Sequence, residues 1–271
     1  MSRSRAPRKA LFEIDLAGGR AQRTYEKLLA PVVGNLDRDF PWEAVDPTQY
    51  EPDQLERARV SWTNGAFNEF VTATAMGQLV EVMGRANVPL DLWGIAASFP
   101  LEELLHVELC SRVAMRLGGG VPIVYDPDDL VLTFDPELTP LQQANELIVR
   151  VCCVGEVFSL PMLVASMRAA TNPLIRAVYE QIVRDEAMHG KLGWMYLDWI
   201  GPSLDDDERA RLGRAASDTA AGMRRLWDGR FNSTSEQAAK TLADEVFGRL
   251  AEYGIMVDPL IHSSNRETAH A

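Results

Sequence analysis

Cysteine is scarce in this 271-residue chain: there are three, Cys110, Cys152 and Cys153, and no Cys-x-x-Cys pair. Two of them are adjacent and cannot close an unstrained bridge, so neither a disulfide scaffold nor a thiolate metal knuckle is expected, and a reducing compartment, the cytoplasm, is. Basic residues are outnumbered, 27 Lys+Arg against 39 Asp+Glu, giving a net charge of −12. That balance argues against nucleic acid or an anionic membrane surface as partner and leaves small molecules or proteins. The N-terminus, MSRSRAPRKALF, is basic but lacks the apolar core of a secretory signal. One long apolar run starts at Leu147, yet Arg150 and Glu156 interrupt it and Pro161 follows. It reads as a helix buried in a protein core rather than in lipid.

Histidine is nearly as scarce, with four copies, and their placement is informative. His262 and His270 lie in a polar C-terminal stretch. The other two close identical motifs, Glu103-x-x-His106 and Glu186-x-x-His189. Residues three apart share a helix face, so each pair can reach one metal ion. A single Glu-x-x-His is a weak motif; two of them, each within an apolar helical pattern, point to a dinuclear site.

Residues 1–60 are rich in proline, charge and turn formers and are expected to wrap the outside of the fold. Helical periodicity then predicts a first helix over about 61–84 and a second over about 89–117, stopped by Gly118-Gly119-Gly120. A long irregular connection leads to a third helix over about 141–169. A fourth starts after Asn172, a natural N-cap with Pro173 in the first turn, and ends near Gly201. Two amphipathic helices are expected over about 204–227 and 235–253, within a C-terminal region of 202–254, and 255–271 reads as a tail. The organisation is therefore an N-terminal extension, a core of 61–201, and helices packed on it.

Short loop, long connection, short loop is the connectivity of two antiparallel helix pairs joined by one crossover. In such a pair, residues at the same height are equidistant from the loop. A loop centred near residue 86 pairs Glu103 with position 69, and one centred near 171 pairs Glu186 with position 156; both positions are glutamate. Glu81 and Glu146 fall at other heights and suit surface or helix-end roles. Glu156, set among valine, cysteine, phenylalanine and leucine, would cost several kcal/mol uncompensated, and a cation would compensate it. Four carboxylates balance two divalent ions, and oxygen with imidazole donors favours iron or manganese over a thiolate-bound metal.

Together these residues resemble the ferritin-like di-iron carboxylate proteins, which include multicomponent monooxygenases, acyl-carrier-protein desaturases, arylamine N-oxygenases and the radical-generating subunit of ribonucleotide reductase. The resemblance covers about residues 61–201. It implies an all-α, ferritin-like four-helix bundle with one long crossover, and Glu69, Glu103, His106, Glu156, Glu186 and His189 as metal ligands and catalytic centre. It further implies Asp185, and Glu102 in the equivalent place, as hydrogen-bonding partners of the histidines. The implied cofactors are two iron ions, with manganese the alternative, and O2 as co-substrate. The implied activity is hydroxylation, desaturation or N-oxygenation of a small organic substrate, with an electron-donor protein or reductant. Manganese catalase or peroxidase chemistry and a non-enzymatic iron-binding or ferroxidase role are the alternatives.

Departures from the family patterns narrow the field. Cys110 stands where the reductase subunit has its radical tyrosine, and Ile182 where the arylamine N-oxygenases carry an extra histidine. No rubredoxin-like cysteine module is present. The long flanking extensions suggest a covered site or a subunit interface such as a homodimer's. Cys110, Cys152, Cys153, Tyr179, Tyr196, Trp194 and Trp199 read mainly as packing residues. Pro100 and Pro161 are expected to kink or widen the helices beside the ligands.

Overall fold

The computed structural model describes residues 8–227 and 233–257. It is predominantly helical, 75% by residue, and its strands are two residues each, so the class is all-α. In chain order the elements are β1 (Ala10–Leu11), α1 (Gly19–Val33), α2 (Pro52–Arg85), α3 (Leu90–Ala96), α4 (Phe99–Arg116) and β2 (Val124–Tyr125). There follow α5 (Pro140–Leu147), a π-helical segment (Ile148–Glu156), α6 (Val157–Ala169), α7 (Pro173–Ile200), α8 (Asp206–Trp227) and α9 (Ser233–Glu252). His262 and His270 lie outside the described residues.

The chain divides into two compact units. One comprises Met1–Gln78, Ala97–Thr133 and Val164–Asp185; the other comprises Leu79–Ala96, Phe134–Leu163 and Glu186–Ala271. The boundaries fall inside α2, α6 and α7, which contribute to both.

In the first unit, β1 pairs antiparallel with β2. Phe12, just beyond β1, meets Phe67 and Phe70 of α2 at ring distances of 5.2 and 5.4 Å, and Tyr125 closes the cluster 5.3 Å from Phe67. The connection after α4 is fastened to α2 by Gln78, whose amide donates to the Leu132 carbonyl (2.7 Å) and accepts from the Leu132 N–H (2.9 Å). Helical periodicity was read only from about residue 61, yet the N-terminal region contains the 15-residue α1. This helix packs against α4, and Tyr25 Oη reaches the Leu104 carbonyl at 3.4 Å. α2 begins at Pro52 rather than near residue 61. Proline at the first helical position loses no bond, because that N–H has no partner in the helix.

The second expected helix is two. Ala97 and Ser98 form a turn between α3 and α4, and Pro100 occupies the first turn of α4. It therefore starts a helix instead of kinking one. Asn172 caps α7 by accepting from the Leu174 N–H at 2.9 Å, and its own amide donates to the Ala44 carbonyl.

In the second unit, α8 packs along α5 and the π segment. A buried polar network ties them together. Tyr196 Oη donates to Asn145 Oδ1 (2.8 Å), and Asn145 Nδ2 donates to Glu208 Oε1 (2.8 Å). Arg211 brackets Glu208 and pairs with Glu146, which also holds Arg150 at 2.9 Å. Glu146 is thus mostly buried between two guanidinium groups, a closer engagement than the surface or helix-end role its height suggested. Among the described residues one helical run, Pro140–Ala169, is long and apolar enough to cross a membrane. Its interior residues Ile148, Val149, Cys152, Cys153 and Val154 are fully buried, and Arg150 also donates to the Ala215 carbonyl.

Candidate metal centre

Three helices present the same stripe. On α4 the buried positions Phe99, Glu103, His106, Cys110 and Val113 recur at intervals of four and three. On α7 the stripe is Ile182, Glu186, His189, Gly193, Tyr196 and Ile200, all buried. On α2 it runs Trp62, Ala66, Glu69, Ala73, Met76, with the Glu69 side chain 15% exposed. This spacing keeps a residue on one helix face. Each Glu-x-x-His therefore replaces two apolar members of a core stripe, so burial of the acid follows from its place in the pattern.

Around His106 the first unit assembles Glu69, Glu103 and Asp185. His106 Nδ1 lies 3.6 Å from Glu103 Oε2 and 3.8 Å from Glu69 Oε2, whereas Nε2 lies 3.2 Å from Asp185 Oδ2. The two ring nitrogens face different carboxylates. A carboxylate accepts, so His106 donates its Nε2 proton to Asp185, and Nδ1 is the nitrogen on the Glu69 and Glu103 side. In the second unit His189 Nδ1 is 3.0 Å from Glu186 Oε2, and Glu156 closes the π segment, buried. Glu102 stands half-buried in the first turn of α4.

All six acid and imidazole side chains expected to bind metal fall into two groups. Glu69, Glu103, His106 and Glu186 each offer one ligand atom, all within 4.8 Å of one another, and so do Glu103, Glu156, Glu186 and His189. Either group could hold a metal ion. Glu103 and Glu186 belong to both.

Two features go beyond the widening expected beside Pro161. The first is the π segment, where the wider turn gives the helix one extra residue and re-aims Glu156 at its end. A Cβ on Gly155 would stand 3.2 Å from the Arg150 carbonyl, five residues earlier, which is the partner position of a π-helix. Pro161 lies inside the succeeding α6 and can donate no hydrogen bond to the turn before it. The second is the glycine pair Gly190 and Gly193, on the same face of α7 as Glu186 and His189. A Cβ at Gly190 would stand 3.0 Å from Val157 Cγ2; one at Gly193 would stand 2.7 Å from Cys153 Sγ and 3.1 Å from the Cys153 backbone nitrogen. The π segment reaches the α7 backbone because these positions carry no side chain. Mid-helix glycines beside Glu186 and His189 were the available signal.

The cysteines are free and buried. Burial, followed by the charge of Glu69, pushes the Cys110 thiol well above its usual value, and burial does the same for Cys153. Both are therefore held as thiols among their packing neighbours. Tyr179, 5.1 Å from the Trp62 ring, is pushed up to about 12 by burial, with the charge of Glu69 adding to the effect. Tyr196 and Trp194 are buried in the second unit; Trp199 sits edge-on to Tyr196 at 5.3 Å, and Arg249 stacks over Trp194 at 4.3 Å. Comparison with family models, curated proteins and solved structures finds no match.

Proposed function

We propose that this chain is a non-haem di-iron oxidase or oxygenase of the ferritin-like type, in which two iron ions activate O2 to oxidise a small organic substrate. The observation that carries the reading is that the two ligand groups share Glu103 and Glu186. A carboxylate has two oxygens, so each shared residue can serve two ions at once, as a dinuclear centre requires.

The donor set fits iron. Buried carboxylates without counter-charge would cost several kcal/mol each, and two divalent ions would neutralise all four. Carboxylate oxygen with imidazole nitrogen suits iron or manganese, and neither of the two ligand groups contains a cysteine. When bound, the ferrous pair would supply electrons for the reduction of O2.

The chain's own residues have definite parts in this scheme. Asp185 would keep His106 in the tautomer that carries its proton on Nε2. Glu103 and Glu186, which belong to both ligand groups, would be the residues that tie the two ions together. The apolar members of the three stripes would exclude water from the centre. Under this reading α2, α4, the run from α5 through the π segment to α6, and α7 are the four bundle helices, with 118–139 as the crossover. The protein is soluble and cytoplasmic, and draws on an external electron donor.

Single-turnover mixing of the reduced, iron-loaded chain with O2, alone and with amines, fatty acyl groups or aromatic acids, tests the oxygenase assignment. Acceleration by one class supports it. Rapid oxidation indifferent to every organic ligand, with continued turnover of added Fe(II), supports the ferroxidase alternative. Disproportionation of hydrogen peroxide by a manganese-loaded chain supports the catalase alternative.

A further inference from the structure

We infer that Gln181 is a positioning residue that fixes the tautomer of His106, through a hydrogen-bond chain running from α1 to the candidate metal centre. The inference rests on the reading of His106 as a ligand for its consequence in metal binding, but not for the tautomer itself.

Gln181 lies one turn before Asp185 on α7 and is only 6% exposed. Its Nε2 donates to Asp185 Oδ2 at 2.6 Å, the same oxygen that faces His106 Nε2 at 3.2 Å. Its Oε1 accepts from Arg184 Nη2. That second contact decides which way the amide points, because a guanidinium can only donate and so must meet the oxygen. The NH2 is then left for Asp185. Arg184 is itself anchored by donating to the Val32 carbonyl of α1 at 3.0 Å, and its Nε stands 3.6 Å from Asp185 Oδ1.

Asp185 thus has a donor on each side of one oxygen and a cation near the other. A buried carboxylate with a single histidine partner could rotate or leave the imidazole free to exchange tautomers. Held by Gln181, it presents a fixed acceptor to Nε2, and the imidazole must keep its proton there. A neutral imidazole with Nε2–H has Nδ1 bare, and Nδ1 is the atom that faces Glu69 and Glu103. Partners of a ligating histidine are commonly worth 10–100-fold in metal affinity when removed. Gln181 acts one bond further out, so its removal should cost about 10-fold, the low end of that range.

The test uses the full chain with Gln181→Leu, and Gln181→Ser as a smaller, polar replacement if the leucine variant does not fold. In the metal-free protein at mildly alkaline pH, two-bond 1H–15N correlation reads the His106 ring directly, assigned by comparison with His106→Gln. Wild type should show protonated Nε2 and bare Nδ1, and the variant a mixture of tautomers. Competition for Mn(II) against a chromophoric chelator should show about 10-fold weaker binding in the variant. Unchanged His106 shifts in a folded variant would overturn the inference. If wild type binds no metal while the variant still shifts the tautomer, the positioning role stands and the ligand assignment falls.

Discussion

Replacing Gly193 with alanine should destabilise the protein, although alanine is the better helix former. In α7 the substitution gains about 1 kcal/mol of helix propensity. The new Cβ would stand 2.7 Å from Cys153 Sγ, about 0.7 Å inside ordinary contact at 3.4 Å, and 3.1 Å from both Cys152 Cβ and the Cys153 backbone nitrogen. Cys152 and Cys153 are fully buried and one of the obstructing atoms is backbone, so a rotamer change cannot clear the space. Overpacking of this kind costs about 1–3 kcal/mol. A control isolates the clash. Gly77 of α2 is exposed, and a Cβ there would meet nothing within 4 Å. Gly77→Ala collects the propensity gain alone, so the two alanine variants should differ by about 1–3 kcal/mol, which is the cost of the clash. Urea unfolding of the metal-free chain measures both, with the Gly77 variant above wild type and the Gly193 variant below its counterpart. Gly193→Ala should also weaken metal binding, because the segment pushed off α7 carries Glu156. Equal stabilisation by the two alanines would refute the close packing of the π segment on Gly193.

Glu156→Ala and Glu186→Ala should each abolish binding of two metals per chain, measured by elemental analysis, while Glu81→Ala retains both. Glu146→Ala should retain both metals as well yet lose about 1–3 kcal/mol in urea unfolding, since it strips a buried partner from Arg211 and Arg150. Truncation after Asp258, which removes His262 and His270, should leave metal content unchanged; loss of an ion would reveal a missed ligand. Tyr179, pushed up to about 12 by burial, should ionise well above an ordinary phenol in ultraviolet difference spectra. The raised value means that the folded state holds this proton more tightly, so its contribution to stability is complete below about pH 10 and is lost as pH climbs towards 12. Ionisation of every tyrosine near 10 would contradict its burial.

The buried cluster of glutamates and histidines was legible because burial of an acid leaves a pattern in one dimension. Glu103 and Glu186 occupy positions of a four-three stripe whose other members are apolar, and equal distance from a short loop located Glu69 and Glu156. The break before α4 was not legible in the same way. Pro100 is compatible both with a kink and with a first turn, and the choice depends on whether Ala97 and Ser98 leave the helix. α1 was hidden because its proline and glycines suggested turns, whereas its stability comes from packing on α4, a contact 79 positions away in the case of Tyr25 and Leu104. The π segment shares its composition with an ordinary buried helix. What distinguishes it is the fit of Gly155, Gly190 and Gly193 to particular neighbours. Gln181 was invisible for a related reason: its role depends on the direction of one amide, fixed by Arg184.

In the proposed centre six side chains hold two irons able to react together with O2. Mössbauer spectroscopy of the chain loaded anaerobically with 57Fe(II), before and after exposure to O2, reads both ions. Two ferrous ions per chain should convert together to a magnetically coupled ferric pair, and a Glu103→Ala chain should form no such pair. A single iron per chain, uncoupled ferric signals, or ferrous iron that O2 leaves unchanged would contradict that proposal.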